Sequence, residues 1–144
     1  MIFVSTFLGG LHEMTVEQIL KTYRTIAVVG LSPKPDRPSH GVAAYLQSRG
    51  YRIVPVRPGT DEILGEKAYP SLKDIPFPVE IVDVFRRSDT VLPVAQDAVA
   101  IGARVLWLQE GIVNTEAEKL CLDAGLDVIM DLCMLKEHRR YGLS

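Results

Sequence analysis

The ten-residue stretch GLSPKPDRPS, positions 30–39, carries residue types that could bind phosphate. The apolar run at positions 26–29 leads into Gly30, as the first strand of a nucleotide-binding βαβ unit leads into its phosphate loop. The G-x-G-x-x-G pattern of dinucleotide-binding proteins does not continue, because Ser32 and Pro35 occupy the positions of its second and third glycines. Ser32 offers a hydroxyl and an amide instead, and the prolines stiffen the loop.

Two cations and an expected helix start strengthen this interpretation. Lys34 and Arg37 add positive charge, and a helix is expected to begin with Ser39 as its N-cap. The free amides and the positive end of the helix dipole would then face the loop. We therefore predict a phosphate-binding loop that includes Gly30, Ser32, Lys34, Arg37 and Ser39. The alternative is a proline-rich surface turn whose charges are solvated.

The residue that follows the second expected strand, in VPVRPG, is Arg57. A site for NAD would place Asp or Glu there, to accept hydrogen bonds from the adenosine ribose. A guanidinium instead binds phosphate, often through two hydrogen bonds. Arg57 thus favours a ligand with a phosphate on its adenosine ribose, as in NADP and coenzyme A (CoA). The alternative is a surface cation in the turn formed by Pro58 and Gly59.

The third expected strand ends in DVFRRSD, which offers an aromatic ring and two cations. Phe85 presents a flat surface for an adenine ring or a pantetheine arm. Arg86 and Arg87 are expected at the same edge of the cleft, with one of them paired to Asp83 or Asp89.

The fourth expected strand ends in WLQEGI. Gln109 and Glu110 could hydrogen-bond a ligand that carries amide groups. Trp107, inside the strand, is expected in the core.

No known catalytic pattern accompanies these residues in the sequence. The motifs G-x-S-x-G and H-E-x-x-H and the P-loop lysine motif are absent. The three histidines are isolated: His12 in an N-terminal extension, His40 in a first helical turn and His138 in the basic tail KEHRRYG. Cys133 is either a reactive thiol near the cleft or, given its apolar neighbours, a buried structural cysteine. We expect a protein that is not an enzyme and binds no metal.

The elements that must position these residues follow a repeated pattern of helix, glycine and β-rich run. Three such stretches occur, with these glycines at the expected helix ends: Gly50, Gly102 and Gly125. TIAVVG and VEIVDVF add two strands, and the lack of polar alternation in all five runs is typical of strands covered on both faces. Further helices are expected to begin at Ser88 and at Asn114 or Thr115. The pattern predicts an α/β, Rossmann-like, doubly wound parallel five-stranded sheet in three layers, with ligands at the strands' carboxyl ends.

Length and composition indicate one globular domain of 144 residues, with 47% apolar and 24% charged residues. A net charge of −2 gives no reason to expect nucleic acid as a partner. Two cysteines without C-x-x-C spacing indicate a reducing cytoplasm. We interpret residues 1–14 as an extension, not a signal peptide or membrane span, because the apolar stretch is short and lacks a basic start. The domain is expected to cover residues 15–144, with Thr15 and Gln18 in a capping box.

Four ordered motifs resemble the small stand-alone CoA-binding domain proteins of the CoA-binding Rossmann type: VVGLSPKPDRPSHGVAAYLQSRGYRIVPVRPG, DVFRR, VLWLQEGI and MDLCMLKEHRR. The similarity covers about Thr15 to Arg140 and extends to the N-terminal domain of the succinyl-CoA synthetase α subunit and to ADP-forming acyl-CoA synthetases. It implies a Rossmann fold that holds CoA at the strand ends. The positions that it implicates are Gly30, Ser32, Arg37, Ser39, Arg57, Pro58, Phe85, Arg86 and the stretch from Gln109 to Gly111. Leu31, between Gly30 and Ser32, is also expected to contact the ligand.

The sequence therefore predicts a module that binds CoA or an acyl-CoA and has no chemistry of its own. Ligase activity is not expected, because the synthetases also use a domain with a phosphorylated histidine. One alternative is an NADP-dependent oxidoreductase, which Arg57 would suit but the missing glycine pattern does not. Another is a regulatory or carrier subunit, in which CoA controls docking to an unidentified protein partner.

Overall fold

The computed structural model describes residues 13–143. Five parallel strands form its sheet: β1 (Thr25–Val29), β2 (Arg52–Val56), β5 (Ile81–Val84), β6 (Val105–Leu108) and β7 (Asp127–Ile129). Their spatial order is β2-β1-β5-β6-β7. An antiparallel hairpin, β3 (Glu62–Ile63) and β4 (Glu66–Lys67), lies between β2 and β5 in the chain. The expected five-stranded parallel sheet is confirmed, and the hairpin is an element that the sequence pattern did not predict.

Five helices cover the two faces of the sheet: α1 (Val16–Thr22), α2 (Pro38–Ser48), α3 (Val91–Ala100), α4 (Thr115–Asp123) and α5 (Met134–Arg140). One apolar cluster joins the sheet to α3 and α4, and a second joins it to α1, α2 and α5. The expected three-layer, doubly wound architecture is therefore confirmed. None of the helices within residues 13–143 has the length and apolar character that a bilayer crossing requires.

The strand order has its switch point at β1, which pairs with β2 on one side and with β5 on the other. In a doubly wound sheet, the crevice beyond the carboxyl ends of such strands is where ligands bind. Trp107 lies in the core as predicted, because it is fully buried and its indole Nε1 donates a hydrogen bond to the Leu132 carbonyl at 2.8 Å.

Several predicted helix ends are confirmed. The glycines that close α2, α3 and α4 all have positive φ: Gly50, Gly102 and Gly125. Thr15 and Gln18 form the expected capping box of α1. Asn114, one of the two expected alternatives, caps α4 by accepting a hydrogen bond from the Ala117 amide.

Two predicted N-caps are wrong. Helix α2 begins at Pro38, so its N-cap is Arg37, and Ser39 is the second helical residue. The fixed φ of proline suits the first helical position, which explains the earlier start. Helix α3 begins at Val91 with Thr90 as N-cap, because Ser88 instead opens a short 3₁₀ turn. The hydroxyls of both serines instead accept hydrogen bonds from backbone amides in loops, Ser39 from Ser32 and Ser88 from Val113.

The predicted extension, residues 1–14, lies almost entirely outside the described residues, as does His12. The domain boundary at residue 15 thus stays a prediction.

Candidate ligand-binding site

Three strand ends lie side by side at the switch point. The Gly30 amide donates to the Val56 carbonyl at 3.1 Å, and the Phe85 amide donates to the Val29 carbonyl at 2.9 Å. Gly30 has φ +87°, and a Cβ placed on it would lie 2.5 Å from the Phe85 carbonyl oxygen. Only glycine fits there, because a side chain would meet backbone and the conformation itself is strained for other residues.

The loop after β1 is held against the first turn of α2 by its serines. The Ser32 amide donates to Ser39 Oγ at 2.9 Å, and the Lys34 amide donates to Ser32 Oγ at 3.1 Å. The Arg37 amide closes a turn by donating to the Lys34 carbonyl at 3.1 Å. Ser39 therefore does not cap the helix as expected. Its buried hydroxyl instead accepts the hydrogen bond that holds the loop against α2.

A cavity of about 590 Å³ opens between this loop, the end of β2 and the end of β5. Its lining residues are Gly30, Ser32, Pro33, Lys34, Arg37, Pro38, Ser39, Arg57, Phe85, Arg86, Arg87 and Ile112. The size is within the range of small-molecule and cofactor sites. The N-terminus of α2 contributes Pro38 and Ser39, so the positive end of an eleven-residue helix faces the cavity.

The lining is strongly positive. Five of its residues carry a cation, and within the described part of the chain none of the lining residues carries a carboxylate. Arg87 lies 3.4 Å from the exposed carboxylate of Asp89, which confirms that one of the two neighbouring arginines is paired. The other four cations form no ion pair with any residue in the range 13–143. Uncompensated cations around a concave surface attract an anionic ligand.

Arg57 is fixed at one side of this cavity. Its backbone amide donates to the Tyr69 carbonyl at 2.8 Å, and its guanidinium Nη1 lies 3.5 Å from the Leu31 carbonyl oxygen, which accepts from it. Arg57 is half-buried, unlike the fully solvated surface cation of the alternative interpretation. The geometry leaves most of its five N–H donors for a ligand.

Eight predicted site residues line the cavity: Gly30, Ser32, Lys34, Arg37, Ser39, Arg57, Phe85 and Arg86. Four others do not. The Leu31 side chain is fully buried in the core, and Pro58 and Gly111 are exposed outside the lining. Gln109 is 3% exposed.

The amide of Gln109 is already used within the fold. Its Nε2 donates to Asp83 Oδ1 at 2.6 Å, and its Oε1 accepts from the Met134 amide at 3.4 Å. The reason is its position, since the alternation of the strand turns this side chain into the sheet face covered by α5. Because Gln109 is buried and held by these two partners outside the cavity lining, its expected hydrogen bonds to a ligand amide stay a prediction.

The cavity also contains residues that the site prediction did not include: Pro33, Pro38, Arg87 and Ile112. The first three stand within motifs already singled out, next to predicted residues. Ile112 follows Gly111, which has φ +86°, and an apolar residue just after a turn glycine at a strand end is the signal that could have identified it.

Asp83 is a buried carboxyl on β5, two residues before Phe85, which lines the cavity. It has no exposed surface, and its Oδ2 lacks a hydrogen-bond partner within the described residues. Burial raises the pKa of Asp83 from 3.8 to about 7, although the hydrogen bond from Gln109 opposes this shift.

The described histidines and cysteines do not line the cavity. Cys133 is half-buried at the start of α5, and burial raises the pKa of Cys121 to about 12.

The interpretation of His138 as part of a basic tail is wrong, because it lies fully buried on α5 with Nδ1 2.8 Å from the Tyr45 hydroxyl. Apolar packing of α5 against α1 and α2 is what buries it.

The sequence of this chain matches the CoA-binding domain family over residues 24–139. The fold is that of a Rossmann-like α/β class of protein. The chain belongs to the CoA-binding domain family.

Its relatives include stand-alone proteins of similar length. The uncharacterized protein YneT of Bacillus subtilis (strain 168) is 48% identical over 123 residues, which cover 85% of this chain and 91% of YneT. The structure of a hypothetical protein from Pyrococcus horikoshii OT3 is 42% identical with a TM-score of 0.84, covering 88% of this chain and 92% of that one.

The chain is also similar to one part of a larger synthetase. The dinucleotide-forming acetyl-coenzyme A synthetase 1 of Ca. Korarchaeum cryptofilum is 29% identical, with a TM-score of 0.64. The match covers 72% of this chain but 24% of the synthetase, so the chain corresponds to about a quarter of that enzyme.

Proposed function

We propose that this protein binds CoA, free or acylated, in the cationic cavity and acts as a module without chemistry of its own. The observation that carries the proposal is the set of five cations around a cavity of about 590 Å³ whose described lining contains no carboxylate. Membership of the CoA-binding domain family supports it.

The charge of CoA suits this lining. Its diphosphate and its 3′-phosphate together bring about four negative charges at neutral pH. We assign Lys34, Arg37 and the N-terminus of α2 to the diphosphate, since both cations lie in the loop after β1 and this loop leads directly into α2. Arg57 then binds the ribose phosphate, and Phe85 packs against the adenine or the pantetheine arm.

The proposed compartment is the cytosol. Cys121 and Cys133 are unpaired thiols, and Cys121 is buried, which suits a reducing environment. A protein that binds CoA without transforming it would serve as a carrier or as a regulatory subunit whose partner responds to CoA.

Calorimetric titration of the whole chain tests the ligand. CoA is expected to bind in the micromolar range, with dephospho-CoA about tenfold weaker, because it lacks the phosphate assigned to Arg57. Binding should weaken as salt is raised. Equal affinity for CoA and dephospho-CoA would remove the role of phosphate recognition, and tighter binding of NADP than of CoA would favour the oxidoreductase alternative.

A matched pair of variants tests the cavity. Arg37→Ala should weaken CoA about tenfold or more, because it removes a charge-assisted contact worth about 1.5–3 kcal/mol. Arg140→Ala is the control, since Arg140 lies on α5, outside the cavity lining, with its guanidinium 3.7 Å from the Glu137 carboxylate. If Arg37→Ala binds CoA as tightly as Arg140→Ala does, the phosphate loop is assigned wrongly.

A further inference from the structure

Asp131 has an uncommon backbone conformation at the carboxyl end of β7. Its φ is +62°, and within the described residues only Leu64 shares a positive φ without being glycine. Aspartate and asparagine adopt this conformation more readily than other non-glycine residues, because their short polar side chains can hydrogen-bond locally. The contact here is short, because Asp131 Oδ1 accepts a hydrogen bond from the Gly111 amide at 2.6 Å.

This hydrogen bond fixes the turn that follows β6. The Ile112 amide donates to the Gln109 carbonyl at 2.9 Å, so residues 109–112 form a compact turn with Gly111 near its tip. Ile112 is the residue of this turn that lines the cavity. Asp131 therefore holds the backbone beside Ile112 without lining the cavity itself.

A second set of hydrogen bonds connects the residues directly after this turn to the loop after β5. Ser88 Oγ accepts from the Val113 amide at 3.1 Å, and the Ser88 carbonyl accepts from Asn114 Nδ2 at 2.8 Å. Ser88 directly follows Arg86 and Arg87, which supply two of the cations. The hydrogen bonds thus run from the end of β7 through the turn after β6 to the cationic loop after β5.

We propose that Asp131 is a positioning residue for the ligand cavity: through Gly111 it sets the wall formed by Ile112, and Ser88 connects that wall to Arg86 and Arg87. The proposal rests on CoA as the ligand of the cavity. Asp131 needs no contact with CoA for this role. Loss of its carboxylate would let the turn move and would reduce affinity through disorder of the wall.

Two substitutions separate the hydrogen bond from the backbone conformation. Asp131→Asn keeps a side-chain acceptor and tolerates positive φ, so CoA affinity should stay within about threefold of the wild type. Asp131→Gly accepts positive φ without strain but has no acceptor, and CoA should bind about tenfold more weakly. Titrations are run where circular dichroism shows each variant fully folded, so that lost stability does not register as lost affinity.

The control is Leu64→Gly, which relieves a positive φ in the β3–β4 hairpin, outside the cavity lining, and should leave CoA affinity unchanged. Hydrogen exchange of the Gly111 amide in the ligand-free protein is a second readout. Exchange should be slow in the wild type and in Asp131→Asn, and faster in Asp131→Gly.

Unchanged CoA affinity in Asp131→Gly, or equal protection of its Gly111 amide, would overturn the inference. If the wild type itself binds no CoA, the proposed function fails, and the ligand role of Asp131 fails with it. Because Gly111 exchange is measured without CoA, the two failures are distinguishable.

Discussion

Asp83→Asn is expected to stabilise the protein, and increasingly so as pH rises. The carboxyl of Asp83 has no exposed surface, and one of its oxygens has no partner within residues 13–143. Above its pKa, the folded protein must hold a negative charge in that place. Asparagine keeps an acceptor for Gln109 Nε2 and carries no charge at any pH.

The magnitude follows from the pKa of Asp83, which burial raises from 3.8 to about 7. Between these two values the folded state binds more protons than the unfolded state, so stability decreases as pH rises. The stabilisation is fully present below pH 3.8 and is lost as pH rises through about 7. Each pH unit between the two pKa values lowers the free energy of unfolding by about 1.4 kcal/mol, so the total decrease is of the order of 4 kcal/mol.

Urea unfolding of the wild type and Asp83→Asn at pH 4, 5, 6, 7 and 8 measures this difference. The two free energies of unfolding should be similar near pH 4 and should diverge as pH rises, with the variant more stable by a few kcal/mol at about pH 8. Asp61→Asn is the control, because Asp61 is exposed. Parallel curves for the wild type and Asp83→Asn would refute the argument that burial sets this carboxyl's pKa.

The other predictions concern the site and another buried titratable group, His138. Gly30→Ala should destabilise the fold by about 2 kcal/mol or more and abolish CoA binding, because its Cβ would meet the Phe85 carbonyl. Gly50→Ala is the control, since the space around its Cβ is open. It should cost only the strain of the positive φ, about 1–2 kcal/mol. Ser39→Ala should weaken CoA several-fold by leaving the Ser32 amide without its acceptor, as titration would show. Burial, followed by the charges of Arg49 and Arg24, lowers the pKa of His138 below 6.5, so the unfolded chain gains more protons than the folded one as pH falls. Asp83 is present in both proteins, so the comparison isolates His138: between pH 7 and pH 5 the free energy of unfolding should change less favourably in the wild type than in His138→Phe. Urea unfolding at the two pH values measures this difference, and equal changes would contradict the prediction.

Local pattern predicted the architecture of this protein well. Uninterrupted apolar runs indicated strands covered on both faces, and each such run is a strand of the parallel sheet. Gly50, Gly102 and Gly125 indicated helix ends because positive φ is a property of a single residue and its neighbours. Two local signals competed at the start of α2. Pro38 takes the first helical position, so Ser39, which the sequence also suggests as an N-cap, lies inside the helix.

The sequence by itself determined the sheet, the strand ends beside the cavity and the loop of serines and cations after Gly30, because these depend on periodicity and on residue types that are close in the chain. Tertiary structure alone decided which of the other candidates face the cavity. Gln109 donates a hydrogen bond to Asp83, and Ile112 lines the cavity. Asp131 accepts a hydrogen bond from the Gly111 amide, twenty positions earlier in the chain. These outcomes depend on which face of a strand a side chain occupies and on which loops the strand order brings together, and neither is a property of the local sequence.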